Sequence, residues 1–230
     1  MALTILSGGA AQALVDKMKG KRDVQGTFGA VGAMQARLLA GEECDVLILT
    51  QALIDELTHQ GHVIAGSAAA LGVVKTGLAV RSGNIPPDVS TPDALKDALR
   101  AASEIYFPDP VKATAGIHFM KVLKTLGVDE ELRDRIRTLP NGREAMGEMA
   151  KSGERGAIGC TQVTEILSVP GVELVSLLPK EFELATVYTA AVCTKAKSPD
   201  EAREFVRLLA GDEAASVRGE CGFEATPAAR

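Results

Sequence analysis

From Phe107 to Gly127 the chain reads as the end of a buried strand, a loop stiffened by Pro108 and Pro110, and a helix starting on Ala113, Thr114, Ala115 and Gly116. Small residues there leave the first-turn backbone N–H groups uncovered, and those donors with the helix dipole suit an anion. Two further glycine-bearing strand-to-helix turns come earlier. One is Ser7-Gly8-Gly9 running into a helix at Ala10; the other is Gly29-Ala30-Val31-Gly32 after the strand at 24–28. Helix N-termini that follow adjacent parallel strands face one crevice at the carboxyl edge of a sheet. Taken singly, each turn is as well explained by packing. Ser-Gly-Gly lacks the full GxGxxG or Walker spacing, which argues against a dinucleotide or nucleotide phosphate site.

Side chains with chemistry of their own are few. Ser7, Thr50, Gln51, Thr114, Thr161 and Gln162 fall at expected strand or loop ends, and Lys75, Lys112 and Arg143 are available cations. His59 and His62 flank Gly61 at a helix end and read as solvated surface. His118 is the one histidine near the proposed anion turn, two residues after Gly116. There is no HExxH or comparable spacing, so no metal site and no cofactor is expected. Cys44, Cys160, Cys193 and Cys221 show no CxxC pairing and read as buried reduced thiols, with a disulfide between two of them left open by the sequence.

The elements that must position these residues alternate strand and helix throughout, which sets the class as α/β with mostly parallel sheets. Strands are expected at 3–6, 24–28, 44–49, 70–82, 104–107, 156–161, 172–178 and 185–194, with a strand end at Leu139. The extended segments 70–82 and 185–194 are long enough to cross between two lobes. Helices are expected at 10–18, 29–40, 53–59, 94–101, 117–126, 130–137, 144–151, 162–167, 202–209 and 212–218. Thr91-Pro92-Asp93, Asn141-Gly142 and Ser198-Pro199-Asp200-Glu201 are helix starts, the last a capping box with Ser198 as N-cap. In the helix after Gly116, the stripe of Ile117, Met120, Val122, Leu123 and Leu126 faces the core, and Gly127 closes it.

Composition narrows the function further. The 230 residues are 46% hydrophobic, enough for one large domain or two lobes, and the formal charge is −5. A net acidic chain without a Lys/Arg cluster argues against nucleic acid, and two Tyr, six Phe and no Trp leave no stacking platform. No apolar run approaches the roughly 20 residues needed to span a bilayer. As written from Met1, the chain shows no leader and reads as cytoplasmic; with a leader removed it would be periplasmic.

In their order and spacing these pieces resemble the molybdate-binding proteins of ABC importers, within the type II periplasmic binding protein fold. The resemblance rests on Ser7-Gly8-Gly9, Phe28-Gly29, Gly41 to Val46, Asp109-Pro110 with Ala115-Gly116, Gly156-Ala157-Ile158, and the closing helices ending in Gly222-Phe223. It implies two lobes, 1–79 with 188–230 and 80–187, joined by two crossover strands. It also implies a small anionic ligand in an interlobe cleft lined by Ser7, Gly8, Gly9, Ala10, Ala30, Val31, Gly32, Thr50, Thr114, Ala115, Gly116, Cys160 and Thr161, and an ABC permease as partner.

The family's two oxyanion-binding serines align here with Ala10 and Val31, and its cleft tyrosine with Gly159 or Cys160. Each lost charge-assisted hydrogen bond removes roughly 1 to 3 kcal/mol. A solute-binding protein for an organic acid or an unusual oxyanion is therefore the expectation. The alternative is an isomerase of a small carboxylate on the same scaffold, like aconitate isomerase, with His118 or Cys160 as its acid–base residue. A ligand-driven sensor acting on a separate partner chain is a third reading.

Overall fold

A computed structural model describes residues 2–226. In chain order the elements are β1 (Leu3–Gly8), α1 (Gln12–Met18), β2 (Val24–Gly29), α2 (Val31–Leu39), β3 (Val46–Thr50), α3 (Gln51–His59) and β4 (Ala69–Arg81). Then come α4 (Pro92–Ala101), β5 (Ile105–Pro108), α5 (Thr114–Leu126), β6 (Ile136–Leu139), α6 (Gly142–Lys151), β7 (Ile158–Gln162), α7 (Val163–Leu167) and β8 (Val172–Leu177). The last are β9 (Ala185–Val192), α8 (Pro199–Ala210) and α9 (Ala215–Glu220). Two compact units form. One contains residues up to Val74 and from Thr186 onward, and the other contains Lys75–Ala185. The chain passes between them within β4 and at the start of β9. The first division falls before Lys75, against the expected 79/80, because from Thr76 onward β4 is laddered to β7.

In the first unit the strand order is β2-β1-β3-β9. β1 is parallel to β2 and β3, and β9 returns antiparallel to β3. Val46, Leu47, Ile48 and Leu49 are all fully buried, so β3 has apolar residues on both faces and needs helices on both sides. Leu14 and Val15 of α1, Ile54 and Leu57 of α3, and Phe205 and Leu209 of α8 complete that core. Asp45, 3% exposed, enters β3 as a buried carboxylate. It accepts from the Thr4 N–H and hydroxyl, both at 2.8 Å, and from the Lys197 and Ser198 N–H groups at 2.7 and 3.3 Å. That anchor corrects the expected capping box. The Ser198 side chain makes no cap bond, and the Ser198 N–H, which a capping box would give to Glu201, goes to Asp45 from across the unit.

In the second unit the order is β4-β7-β5-β6, with β8 on the other edge of β4. β5 is parallel to β6 and β7, whereas β4 runs antiparallel to β7 and β8. β5 is buried on both faces and its neighbours alternate sides. Phe107 packs with α4 and α5, its ring 5.3 Å from Phe119 at 74°, while Tyr106 packs with Met146 and Met149 of α6. The helix expected at 130–137 is not formed. Arg133–Arg135 make a single 3-10 turn and Ile136–Leu139 become β6, because laddering Ile136 against Ile105 and pairing Arg137 with Glu104 outweigh the helical leaning of a charged run. In α5 the buried positions are Phe119, Val122, Leu123 and Leu126; Ile117, expected in the stripe, is 49% exposed.

Thr91 and Asn141 cap α4 and α6, accepting from the N–H of Ala94 at 3.1 Å and of Glu144 at 2.9 Å, and Gly127 ends α5 at φ +66°. No helix among the described residues is long and apolar enough to cross a membrane.

Candidate functional site

In the first unit, Ser7 and Gly8 end β1, and Gly9, Ala10 and Ala11 form a 3-10 turn into α1 with no side-chain cap. Ser7 is fully buried and its hydroxyl donates to the Gly8 carbonyl at 2.9 Å. α2 starts at Ala30, Val31 and Gly32, again without a side-chain cap, so the Val31 and Gly32 N–H groups have no intrahelical partner. The third turn differs. Thr50 caps α3, accepting from the Leu53 N–H at 3.5 Å, and Gln51 accepts from the Thr189 hydroxyl at 2.6 Å and donates to Asp55 at 2.7 Å. Thr50 and Gln51 therefore spend their polar atoms internally.

In the second unit, α5 begins at Thr114 with Ala113 as an uncapped N-cap, leaving first-turn donors on Thr114, Ala115 and Gly116. The loop before it is tied by Asp109, whose side chain accepts from the Val111 and Lys112 N–H groups at 2.7 and 3.0 Å. Gly116 has a reason beyond an open helix start. A Cβ there would lie 2.2 Å from the Pro108 carbonyl oxygen and 2.4 Å from that of Asp109, so the helix rests backbone against backbone on its own loop.

Thr161 and Gln162, at the end of β7, diverge in role. Thr161 donates at 2.6 Å to Glu165, a buried carboxylate the sequence did not single out. Burial pushes the Glu165 pKa above the usual carboxylate range, while hydrogen bonds from Thr161 and from the Gly142, Arg143 and Gln162 N–H groups pull it back. Glu165 thus ties the N-terminus of α6 to the β7–α7 turn. A Cβ on Gly142 would fall 2.1 Å from its Oε2, so only glycine leaves room.

Gln162 is 2% exposed, yet neither its Nε2 nor its Oε1 has a hydrogen-bond partner. Directly opposite it on β4 is Thr76, 1% exposed, whose Oγ1 is also unpartnered, and Thr164, two residues beyond Gln162, is a second such hydroxyl. Buried polar atoms without partners are uncommon and call for a ligand or ordered water. The signal for Thr76 was present in the sequence: Val74, Thr76, Leu78 and Val80 share one face of β4, and one of the four is polar.

The two acid–base candidates are placed differently from a reactive site. The His118 ring holds the Phe182 carbonyl through Nε2 at 2.8 Å. Cys160 is fully buried among Leu78, Ile105 and Phe107, and burial drives its thiol pKa well up. Among the cations, Lys75 lies 3.9 Å from Glu183, Lys112 is exposed and Arg143 is half-buried. A cavity of about 520 Å³ beside β6 is lined by Tyr106, Arg137 and Lys151 and by none of the expected ligand residues. Its Arg137 and Lys151 are paired with Glu104 and Glu148. No cluster of three or more metal-ligating side chains occurs among the described residues.

Comparison with known proteins adds the following. The chain is similar to an aconitate isomerase of a Pseudomonas species, 29% identical over 197 residues, covering 85% of this chain and 73% of that protein. Among solved structures it resembles the periplasmic molybdate-binding protein of Azotobacter vinelandii (TM-score 0.80, 17% identity, 98% of this chain and 100% of that one). It also resembles the sulfate-binding protein of Mycobacterium tuberculosis (TM-score 0.73, 15% identity, 99% and 88%). At those identities the structural likeness speaks for the fold, an α/β periplasmic-binding-protein architecture. The model of the bacterial extracellular solute-binding proteins matches residues 9–224, and the chain belongs to that family.

Proposed function

We propose that this protein binds a small organic acid as a solute-binding protein of an ABC importer, outside the cytoplasm as the family description implies. Gln162 carries the reading. Its buried amide offers one unpartnered donor and one unpartnered acceptor, with the Thr76 hydroxyl opposite. A fully ionised tetrahedral oxyanion can only accept hydrogen bonds, so it satisfies Nε2 and strands Oε1. A carboxylic acid that also carries a hydroxyl or a protonated carboxyl satisfies both. The uncapped N-terminal turn of α5, in the same unit, supplies further N–H donors to carboxylates.

The test is a thermal-shift panel of aconitate, citrate, molybdate, tungstate, sulfate and phosphate. A ligand at 100 times its dissociation constant adds about 2.7 kcal/mol of stability. Citrate, which carries a hydroxyl, is expected to raise the melting temperature, and sulfate, molybdate and tungstate, which have no proton to donate near neutral pH, to leave it nearly unchanged; the reverse pattern overturns the proposal.

A second reading, isomerisation of a small carboxylate, is favoured by the likeness to an aconitate isomerase. Proton transfer next to a carboxylate needs a base within hydrogen-bond reach. The carbonyl-bound His118 ring and the buried Cys160 thiol are poorly placed to serve. Proton NMR of each stabilising acid with protein decides: persistence of the added isomer supports binding alone, and conversion supports the enzyme.

A further inference from the structure

Of the three thiols in the first unit, none used by solute binding or isomerisation, Cys44 and Cys193 lie side by side. Cys44 precedes β3 and Cys193 follows β9, where the Cys193 N–H donates to the Asp45 carbonyl at 3.0 Å and brings the two segments side by side. Both cysteines are buried, at 5% and 1% exposure. The Cys44 thiol donates to the Val46 carbonyl at 3.2 Å and lies close enough to Cys193 to raise the Cys193 pKa. Both sulfur-bearing residues line one cavity of about 270 Å³, together with His62, Thr194 and Lys195, with the Lys197–Glu43 ion pair of 2.6 Å at its side.

We propose that Cys44 and Cys193 form a redox-active dithiol site, oxidised to an intramolecular disulfide by a low-molecular-weight disulfide that enters this cavity. The Cys44 thiolate attacks one sulfur of the reagent RSSR, making a mixed disulfide and expelling RS⁻. Cys193 loses its proton to solvent and attacks the Cys44 sulfur, expelling the second RS⁻. Two protein thiols and RSSR become one protein disulfide and two RSH; the two electrons lost by the cysteine sulfurs reduce the reagent's S–S bond.

Cys193 is the resolving thiol. Its burial and the nearby Asp45 carboxylate hold its proton on after Cys44 has entered the mixed disulfide, so the second step is the slow one and quickens with pH. The cross-link pins the end of β9 to the start of β3 and closes a loop through most of the chain, which is the arrangement that restricts the unfolded chain most. In an oxidising compartment such a pair stays bridged.

The experiment uses the full folded chain, incubated with 2-hydroxyethyl disulfide at pH 8.5, acid-quenched, alkylated in denaturant and mapped by mass spectrometry without reduction. The expected result is a Cys44–Cys193 linked peptide, loss of two of the four alkylatable thiols, and a higher melting temperature that reverts with dithiothreitol. In Cys193→Ala a mixed disulfide should accumulate on Cys44, whereas the double variant Cys160→Ala, Cys221→Ala should cross-link as the parent does. Four free thiols in the treated parent, mixed disulfides there that never resolve, or linkage through Cys160 or Cys221 would each overturn the proposal. The parent's peptide map decides by itself if a variant does not fold.

Discussion

Gln162 and Asp45 are both buried polar side chains, and they do opposite things for the protein. Asp45 is satisfied on every side: burial raises its pKa, but the Thr4 N–H and hydroxyl and the Lys197 and Ser198 N–H groups outweigh that and hold it below the usual carboxylate value. Asp45→Asn removes charge from those bonds and turns a donor toward N–H groups, so a loss of about 1.5 to 3 kcal/mol is expected in urea unfolding. Gln162 is unsatisfied, which disfavours the unliganded fold. Gln162→Leu should therefore leave the unliganded protein as stable as the parent or more so, while abolishing the thermal shift from the organic acid. A variant that loses stability and keeps the ligand response would show that Gln162 serves the core. The sequence marked Gln162 as a polar group at a strand end; that its amide finds no partner depends on what β4 places opposite it.

At the scale of elements, the β5–α5 connection shows how a site-like motif is built for packing and for donors at once. Small residues at the helix start leave N–H groups open, and Gly116 additionally lets the helix seat on the Pro108 and Asp109 carbonyls. Gly116→Ala inserts a methyl group against backbone that cannot rotate away, and a loss of about 1 to 3 kcal/mol is expected in chemical denaturation. Ala115→Gly, which adds no atoms, should cost at least about 0.5 to 1 kcal/mol, through helix entropy and the loss of a buried methyl group. Thr91, Asn141 and Gly127 were readable as helix boundaries because a cap is a local event. Ser198 matched the same pattern and failed as a capping box: its N–H, the donor such a box gives to Glu201, goes to a buried carboxylate more than 150 positions away.

For the whole molecule, pH acts on stability from two sides. The Asp45 pKa is lowered in the fold, so the folded state binds fewer protons there; its stabilisation is present above the unfolded pKa and is lost as pH falls through the lowered value. The Glu165 pKa is raised, so the folded state binds more protons; its favourable contribution is full below the unfolded carboxylate pKa and is lost as pH rises through the raised value. Melting temperature should accordingly fall at acid pH in the parent and in Glu165→Gln alike. Going from acid toward neutral, the parent should lose an increment that Glu165→Gln does not, so the difference between the two curves depends on pH above about 4.5. Parallel curves throughout that range would show that Glu165 keeps an unshifted pKa.

Alternation of apolar runs with amphipathic segments determined the α/β class, the glycine-bearing turns after β1 and β2, and the run from Phe107 to Gly127, all of which are set by residues within a few positions of one another. Tertiary structure alone decided that the strand ending at Leu139 begins at Ile136 and ladders onto β5, that Ile117 faces outward while Phe119 fills the core, and that Glu165 reaches the N-terminus of α6. It also decided that Thr76 stands opposite Gln162, and that Cys44 meets Cys193. The physical reason is the range of the forces involved: propensity and capping act within one turn, whereas burial, unsatisfied polar atoms and thiol pairing depend on neighbours that only the packed chain brings together.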